Sequence, residues 1–361
     1  MPEQQKLYII RKEYDGFGGA ENVAKRYNDH FSAHFDTDLV FAGAYLDNYR
    51  FNGNKGPGWW KSLSFSNSVN HFLGKRNDSI TFSMTRGIAG HVFRVGDGVH
   101  NRWLAHNNTG FLKRLFNPNH LVTPRLEKHS IEHSKWIVPN SKMIAEEISS
   151  EYPQCAKKIK VIQNGFDPNR FQVADKTART ALKEEFGANP KAIHLLFCAN
   201  GWERKGLSHT LKLVSRINQK SRCHLWVVGR GNQRHYTKQC YDLGITKNVS
   251  FLGSQQNVTK WYQMADLFIL PTAYDPFSNS CLEALACGCP VITTSSNGAS
   301  ECINPRNGLV VHSNKEVFSE SAVKWVLGIK NFNRSEISQS VSELTSENEI
   351  KAYLELLRSN D

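Results

Sequence analysis

The sequence predicts an α/β protein made of two doubly wound, Rossmann-like domains. Three observations carry that expectation. Short apolar runs alternate with helix-length amphipathic stretches along most of the chain, and this alternation implies parallel sheets. Glycine-rich turns follow several of these runs, at 16–19, 201–206 and 229–231, where a βα unit needs backbone that can turn sharply into a helix. The length of 361 residues, 40% of them hydrophobic and 22% charged, is ordinary for a globular chain and suits two cores better than one.

In the first half, Leu7–Ile10 reads as a strand. Gly16, Gly18 and Gly19 form the turn after it, and Ala20–Phe31 reads as a helix with Val23, Tyr27 and Phe31 on one face. Further strands are predicted at Asp38–Ala42, Ser79–Met84, Gly90–Val95 and Trp136–Val138, with Lys158–Ile162 as the last. Ser141 is placed to cap the helix after Pro139-Asn140, and Pro124–Lys135 reads as a basic, histidine-bearing helix. Asp97 and His100 fall at a strand's carboxyl end, where open α/β sheets place ligand groups; a turn cap is the plainer reading. The turn-rich Asn164–Pro168 puts the junction there. The expected domains are 1–165 and 166–340, with 341–361 a terminal helix free to pack back on the first domain.

In the second half, strands at Ile193–Cys198, His224–Val228, Val249–Leu252 and Leu267–Leu270 alternate with helices, and Val291–Thr293 follows. Two stretches stand out chemically. Arg204-Lys205, flanked by Gly201 and Gly206, lies between a strand and a helix. Arg204 can grip a phosphate at two points and Lys205 adds a compact charge, although such a pair on a surface is often only solvated. The stretch Pro271–Val291 runs from a strand through the loop Asp275 to Asn279 into a helix carrying Glu283. Free N–H groups at a helix start favour anions, and two carboxylates eight positions apart could hold sugar hydroxyls. The plainer reading has the acids merely favouring the helix start.

The formal charge of +12 and pI near 9.3 imply an anionic partner such as a nucleotide, nucleic acid, phosphorylated glycan or acidic lipid. Eight cysteines occur without a CxxC pair, so they read as reduced core residues, not metal ligands. The dinucleotide fingerprint fails at Glu21, which argues against a nicotinamide dehydrogenase. No apolar run reaches membrane-spanning length, and the first residues read as a strand and not a signal peptide. Gly56–Arg76 mixes Trp59, Trp60 and Phe72 with Lys61, Lys75 and Arg76. Such a mixture fits either an anionic membrane interface or a helix burying its aromatics.

Seven segments in a fixed order resemble the retaining, GT-B-fold, family 4-like glycosyltransferases that use nucleotide sugars. They are FGGAENV, PNS at 139–141, NGFDPNRF at 164–171, GWERKG at 201–206, VVGRG at 227–231, VSFLG at 249–253 and DPFSNSCLEALACGCPVI at 275–292. The last is similar to the family's E-x7-E motif, with Asp275 in place of the first glutamate. RKG at 204–206 and the D-x-x-H stretch at 97–100 look most like the lipopolysaccharide-core glucosyltransferase I type.

The resemblance implies two domains facing a central cleft and a hexose, glucose favoured, moved from a nucleotide diphosphate, UDP favoured, to a glycan or glycolipid acceptor. No cofactor or metal is implied. By the same resemblance Arg204 and Lys205 hold the donor diphosphate, Glu283 the ribose and Asp275 the transferred sugar. The backbone at Phe277, Ser278 and Asn279 completes the cradle, Gly18 and Gly19 approach the phosphates, and Leu252 lies near the base. Asp97 and His100 face the acceptor or the reacting sugar. Localisation is then cytoplasmic, peripheral on the inner membrane face, with no nucleic acid expected. A nucleotide-sugar epimerase or hydrolase, or a non-catalytic glycan- or nucleic-acid-binding protein, are the alternatives.

Overall fold

The computed structural model describes residues 4–14, 19–76, 78–106, 116–329 and 332–359, without the side chains of 19–22. It divides into two compact units, one of residues 1–163 with 349–361 and one of 164–348.

The first unit contains β1 (Lys6–Ile10), α1 (Gly19–Phe31), β2 (Asp36–Val40), a short hairpin of β3 (Tyr45–Leu46) and β4 (Tyr49–Arg50), and α2 (Gly58–Leu73). It continues through β5 (Ile80–Ser83), β6 (Val92–Val95), α3 (His100–His106), α4 (Pro118–His133), β7 (Trp136–Pro139) and α5 (Lys142–Glu151). The sheet is parallel in the order β2-β1-β5-β6-β7. Its central strands are buried on both faces, as parallel strands covered by helices must be. Tyr27, Phe31 and Phe82 pack as edge and stacked rings in this core.

Two predicted elements differ, and a third that was open is decided. Lys158–Ile162 is not a full strand: a turn over Pro153–Lys158 leads to a single bridge between Ile159 and Ile137, and Lys160 and Ile162 donate to the Ile137 and Pro139 carbonyls at 3.0 and 3.1 Å. The helix expected from Pro124 begins at Pro118, because Asn117 caps it by accepting from the Asn119 N–H. Pro118 then takes the first helical position, where a missing N–H is harmless. In α2, Phe65, Val69 and Phe72 are buried while Trp60 is 49% exposed, so the aromatic stretch is core along most of its length and surface at its start.

The second unit contains α6 (Lys176–Glu185), β8 (Ile193–Cys198), α7 (Leu207–Asn218), β9 (Cys223–Val228), α8 (Gln233–Asp242), β10 (Val249–Gly253) and α9 (Thr259–Met264). After these come β11 (Leu267–Leu270), α10 (Asn279–Ala286), β12 (Val291–Thr294), β13 (Gly308–Val311), α11 (Glu320–Leu327) and α12 (Arg334–Gln339). The six-stranded parallel sheet has the order β10-β9-β8-β11-β12-β13. Chain order reverses between β8 and β11, and such a switch point opens a crevice at the strands' carboxyl ends. Gly206 makes the entry to α7 possible. Its φ is +83°, and a Cβ there would lie 2.1 Å from the Pro271 carbonyl oxygen. The loop after β8 is thereby pressed against the loop after β11.

Within the terminal 341–361, expected as a helix, the helix is α13 (Ser346–Arg358), and the short α12 precedes it. From Glu349 onward α13 belongs to the first unit, where Ile350, Tyr353 and Leu357 join the core of Tyr27 and Phe82. Buried Arg94 donates to the Tyr27 hydroxyl at 3.0 Å, and that hydroxyl donates to the buried Glu349 carboxylate. Arg26 pairs with the same carboxylate at 2.5 Å. A guanidinium and a phenol thus meet a buried carboxylate, with a second guanidinium behind the phenol, where α1, β6 and α13 pack together.

Candidate active site

The loops after β8 and β11 build one charged cluster. Asp275 is only 6% exposed, and both its oxygens are engaged. Oδ2 takes an ion pair with Lys205 and a 2.7 Å bond from the Ser278 hydroxyl, with Arg204 Nη1 at 3.6 Å. Oδ1 accepts from the Phe277 N–H at 3.2 Å. Burial by itself raises this carboxyl, but Lys205, Ser278 and Arg204 outweigh it and hold it below the usual carboxylate range. Lys205 also donates to Ser278 Oγ at 3.3 Å. Arg204 donates to the Tyr274 carbonyl at 2.8 Å and keeps about a third of its side chain, 37%, in solvent.

Asn297, from the loop after β12, locks this cluster. Its Oδ1 accepts from the Ser278 N–H at 3.1 Å, and its Nδ2 donates to the Thr293 hydroxyl at 2.9 Å. The Asp275 backbone bridges to the same loop, receiving from Gly298 N and donating to Ser296 O, both at 2.9 Å. Asn279 opens α10 and its Oδ1 accepts from Asn164 Nδ2 at 2.7 Å. Glu283, one turn on, is half-buried and accepts from the Tyr262 hydroxyl at 2.9 Å. Burial pushes its carboxyl up, while that hydroxyl and Arg170 pull the other way.

The structure therefore brings together Arg204, Lys205, Asp275, Phe277, Ser278 and Asn279, with Glu283 on the first helical turns beyond them. Leu252 is apart, on the edge strand β10, two strands from β8. Between them Trp202 packs on Phe251 and Tyr236 at centroid distances of 5.5 and 5.6 Å. Gly18 lies outside the described residues, and Gly19 is the first residue of α1. Asn297 and Tyr262 escaped sequence reasoning. The Asn297-Gly298 pair after a strand was a turn signal, but nothing in the chain tells that this side chain points at Ser278. No local signal marks Tyr262, whose role depends on which face of α9 meets α10.

In the first unit, Asp97 and His100 stand at the carboxyl end of β6. Arg11, Lys12, Thr85, Arg86 and Asp97 line a cavity of about 290 Å³. Asp97 is 62% exposed along its side chain and reaches only to 4.0 Å from Arg11 Nη1. His100 opens α3, and its N–H donates to Glu127 Oε2 at 3.0 Å. Its ring Nε2 is 3.2 Å from His120 Nδ1. Burial, with Arg86 and His120 nearby, lowers the His100 imidazole to about 4. Buried Glu127 pairs with Arg86 at 2.9 Å, an anchor that sequence reasoning passed over.

Comparison with known proteins bears on the family of the chain. Residues 18–170 match the model described as Glycosyltransferase Family 4, and residues 192–327 match that of Glycosyl transferases group 1. An uncharacterized glycosyltransferase of Methanocaldococcus jannaschii is 30% identical over 192 residues, covering 52% of this chain and 49% of that protein. The lipopolysaccharide glucosyltransferase WaaG of Escherichia coli strain K12 is 25% identical over 224 residues, 60% of this chain and 59% of its own length. The matched region thus spans about half to three fifths of these relatives. A crystal structure of a WaaG superposes with a TM-score of 0.83 at 17% identity, covering 98% of this chain and all of that one. An Anabaena HepE structure in complex with UDP-glucose gives a TM-score of 0.67 at 16% identity, covering 98% and 99%. Each half of the chain, with its parallel sheet, thus matches a glycosyltransferase model, the fold is GT-B, and the chain belongs to the family 4, group 1 glycosyltransferases.

Proposed function

We propose that the protein is a retaining, metal-independent hexosyltransferase. It moves a hexose, glucose favoured, from a nucleotide diphosphate, UDP favoured, to a glycan of the lipopolysaccharide-core or cell-surface class. The Arg204, Lys205, Asp275 and Ser278 cluster at the switch point of the second sheet carries this reading. The relatives named for lipopolysaccharide glucosylation and the UDP-glucose complex support the substrate class.

Sugar transfer develops positive charge at the anomeric carbon and negative charge on the departing diphosphate. Arg204 spends one guanidinium nitrogen on Tyr274, and the rest of its fork is available to a phosphate. Lys205 is held by Asp275 and Ser278, so it meets the leaving group without reorganising. Fixed charges of this kind lower the barrier because they are aimed before reaction begins. In this reading Asp275 contacts the transferred sugar, Glu283 the ribose and Leu252 the base. Gly18 and Gly19 approach the phosphates, and Asp97 and His100 meet the acceptor. Same-face attack, with the leaving phosphate assisting acceptor deprotonation, accounts for retention without a carboxylate nucleophile.

The working place is the cytoplasmic face of a membrane, touched through the exposed start of the 56–76 stretch. No helix among the described residues is long and apolar enough to cross one. A thermal-shift panel of nucleotide sugars tests the donor, since a ligand of the native state raises the melting temperature. UDP-glucose is expected to give the largest shift and to label a lipopolysaccharide-core acceptor. Release of free sugar in place of acceptor labelling would turn the reading to a hydrolase.

A further inference from the structure

A second charged cavity lies at the opposite ends of the second unit's strands, beside the first residues of β8 and β12 and just before β11. It holds about 240 Å³, and Arg179, Lys183, Lys191 and Arg334 line it against a single carboxylate, Asp266, among the described residues. Pro290, Ile329 and Phe332 give it an apolar wall.

The carboxylate is already saturated. Asp266 pairs with Arg179 and, at 3.1 Å, with Lys183, and its other oxygen accepts from the His194 N–H at 2.8 Å. Those two cations hold it below the usual carboxylate range even though burial opposes them. Lys191 and Arg334 form no ion pair among the described residues. Arg334 donates only to neutral carbonyls, those of Ala265, Tyr262, Gln263 and Cys287, at 2.9 to 3.2 Å. Its Nε–H is buried without a partner. Burial, and the like charge of Arg179, lower this guanidinium from its ordinary value, with Asp266 opposing them. Positive charge left uncompensated beside an apolar wall is costly unless an anion joins it.

We propose that this cavity is a second anion site, separate from the donor site, for a small phosphate- or carboxylate-bearing molecule with an apolar edge. The charged group sits among Arg179, Lys183, Lys191 and Arg334, and the apolar edge lies on Ile329 and Phe332. The site is independent of the glycosyltransferase reading, because none of its residues belongs to the donor cluster.

Calorimetric titration of the full chain with phenyl phosphate, with benzyl alcohol as the neutral control, tests it at constant ionic strength. Saturable binding of phenyl phosphate alone is expected. Lys191→Glu, at an exposed position, is expected to weaken it about tenfold or more. Lys183→Gln, checked for an unchanged circular dichroism spectrum, is expected to weaken it as well. Arg204→Gln, at the donor cluster, is expected to leave it unchanged. No saturation by about 10 mM, or an affinity untouched by Lys191→Glu and Lys183→Gln, overturns the proposal. So does loss of binding in Arg204→Gln, or equal weakening in all three variants, which donor-site binding or diffuse charge attraction would give.

Discussion

At the carboxyl ends of β8 and β11, both oxygens of Asp275 are bonded and the carboxylate is 6% exposed. At the carboxyl end of β6, Asp97 is 62% exposed along its side chain and its nearest cation is 4.0 Å away. Both places lie at the carboxyl ends of parallel strands but differ in what fixes the charges. In the second unit three loops close on one carboxylate, so cations, hydroxyl and backbone N–H groups are already aimed. In the first unit the fixed groups lie one layer back, in the Arg86, Glu127 and His100 network, and the outermost acid stays in water. A partner at the second unit meets a preorganised surface; a partner at the first must order Asp97 itself and bear that entropy.

The largest expected effect breaks the preorganised side. Lys205→Ala should lower glucosyl transfer on the order of a hundredfold. It should also destabilise the second unit by about 3 kcal/mol, because Asp275 is left buried without its closest cation. Steady-state kinetics and urea unfolding measure the two; full activity with unchanged stability would dissolve the contrast between the units.

The first unit has its own buried charge, away from its strand ends. Glu349→Ala should cost about 3 kcal/mol by stranding Arg94 beside Tyr27. Hydrogen exchange should show the loss in α1, β6 and α13 and spare α10. A smaller effect probes the margin of the donor cluster. Tyr262→Phe removes one bond to Glu283, for about 1 kcal/mol, and raises the Glu283 carboxyl further, since that hydroxyl holds it down. Carboxyl NMR shifts should show the rise, and Asp275 should not move.

The smallest effect is a slope. His100 titrates near 4 when folded, below an ordinary histidine near 6.5. Between these values the unfolded chain binds the proton and the folded one does not, so stability falls as pH drops from about 6.5 to about 4. Above 6.5 this contribution is complete. His100→Gln should flatten that part of the stability curve and leave neutral pH little changed, as read by melting temperature against pH.

Much of the second unit was legible because its loops are short and its motifs local. Gly201 to Gly206 and Asp275 to Glu283 each name a strand end and a helix start within ten residues. Gly308–Val311 went unread as a strand, since four residues at a sheet edge carry little pattern. In the first unit the signals were weaker. Pro124 looked like a helix start because proline usually is one, yet the Asn117-Pro118 pair had the cap. Gly56–Arg76 was ambiguous, and α2 resolved it by position along the helix: Phe65, Val69 and Phe72 face the core, Trp60 does not.

By itself the sequence determined the order of strands and helices, the parallel sheets and the residues able to carry charge at strand ends. These follow from apolar periodicity and turn chemistry, which are local. Only the tertiary structure decided that Asn297 locks Ser278, that Tyr262 holds Glu283, that Glu349 returns to Arg94, and that four cations and one carboxylate line a cavity behind the sheet. Each of these joins side chains from separate elements. Such a contact depends on which helix face meets which neighbour, and the chain's own periodicity does not record that.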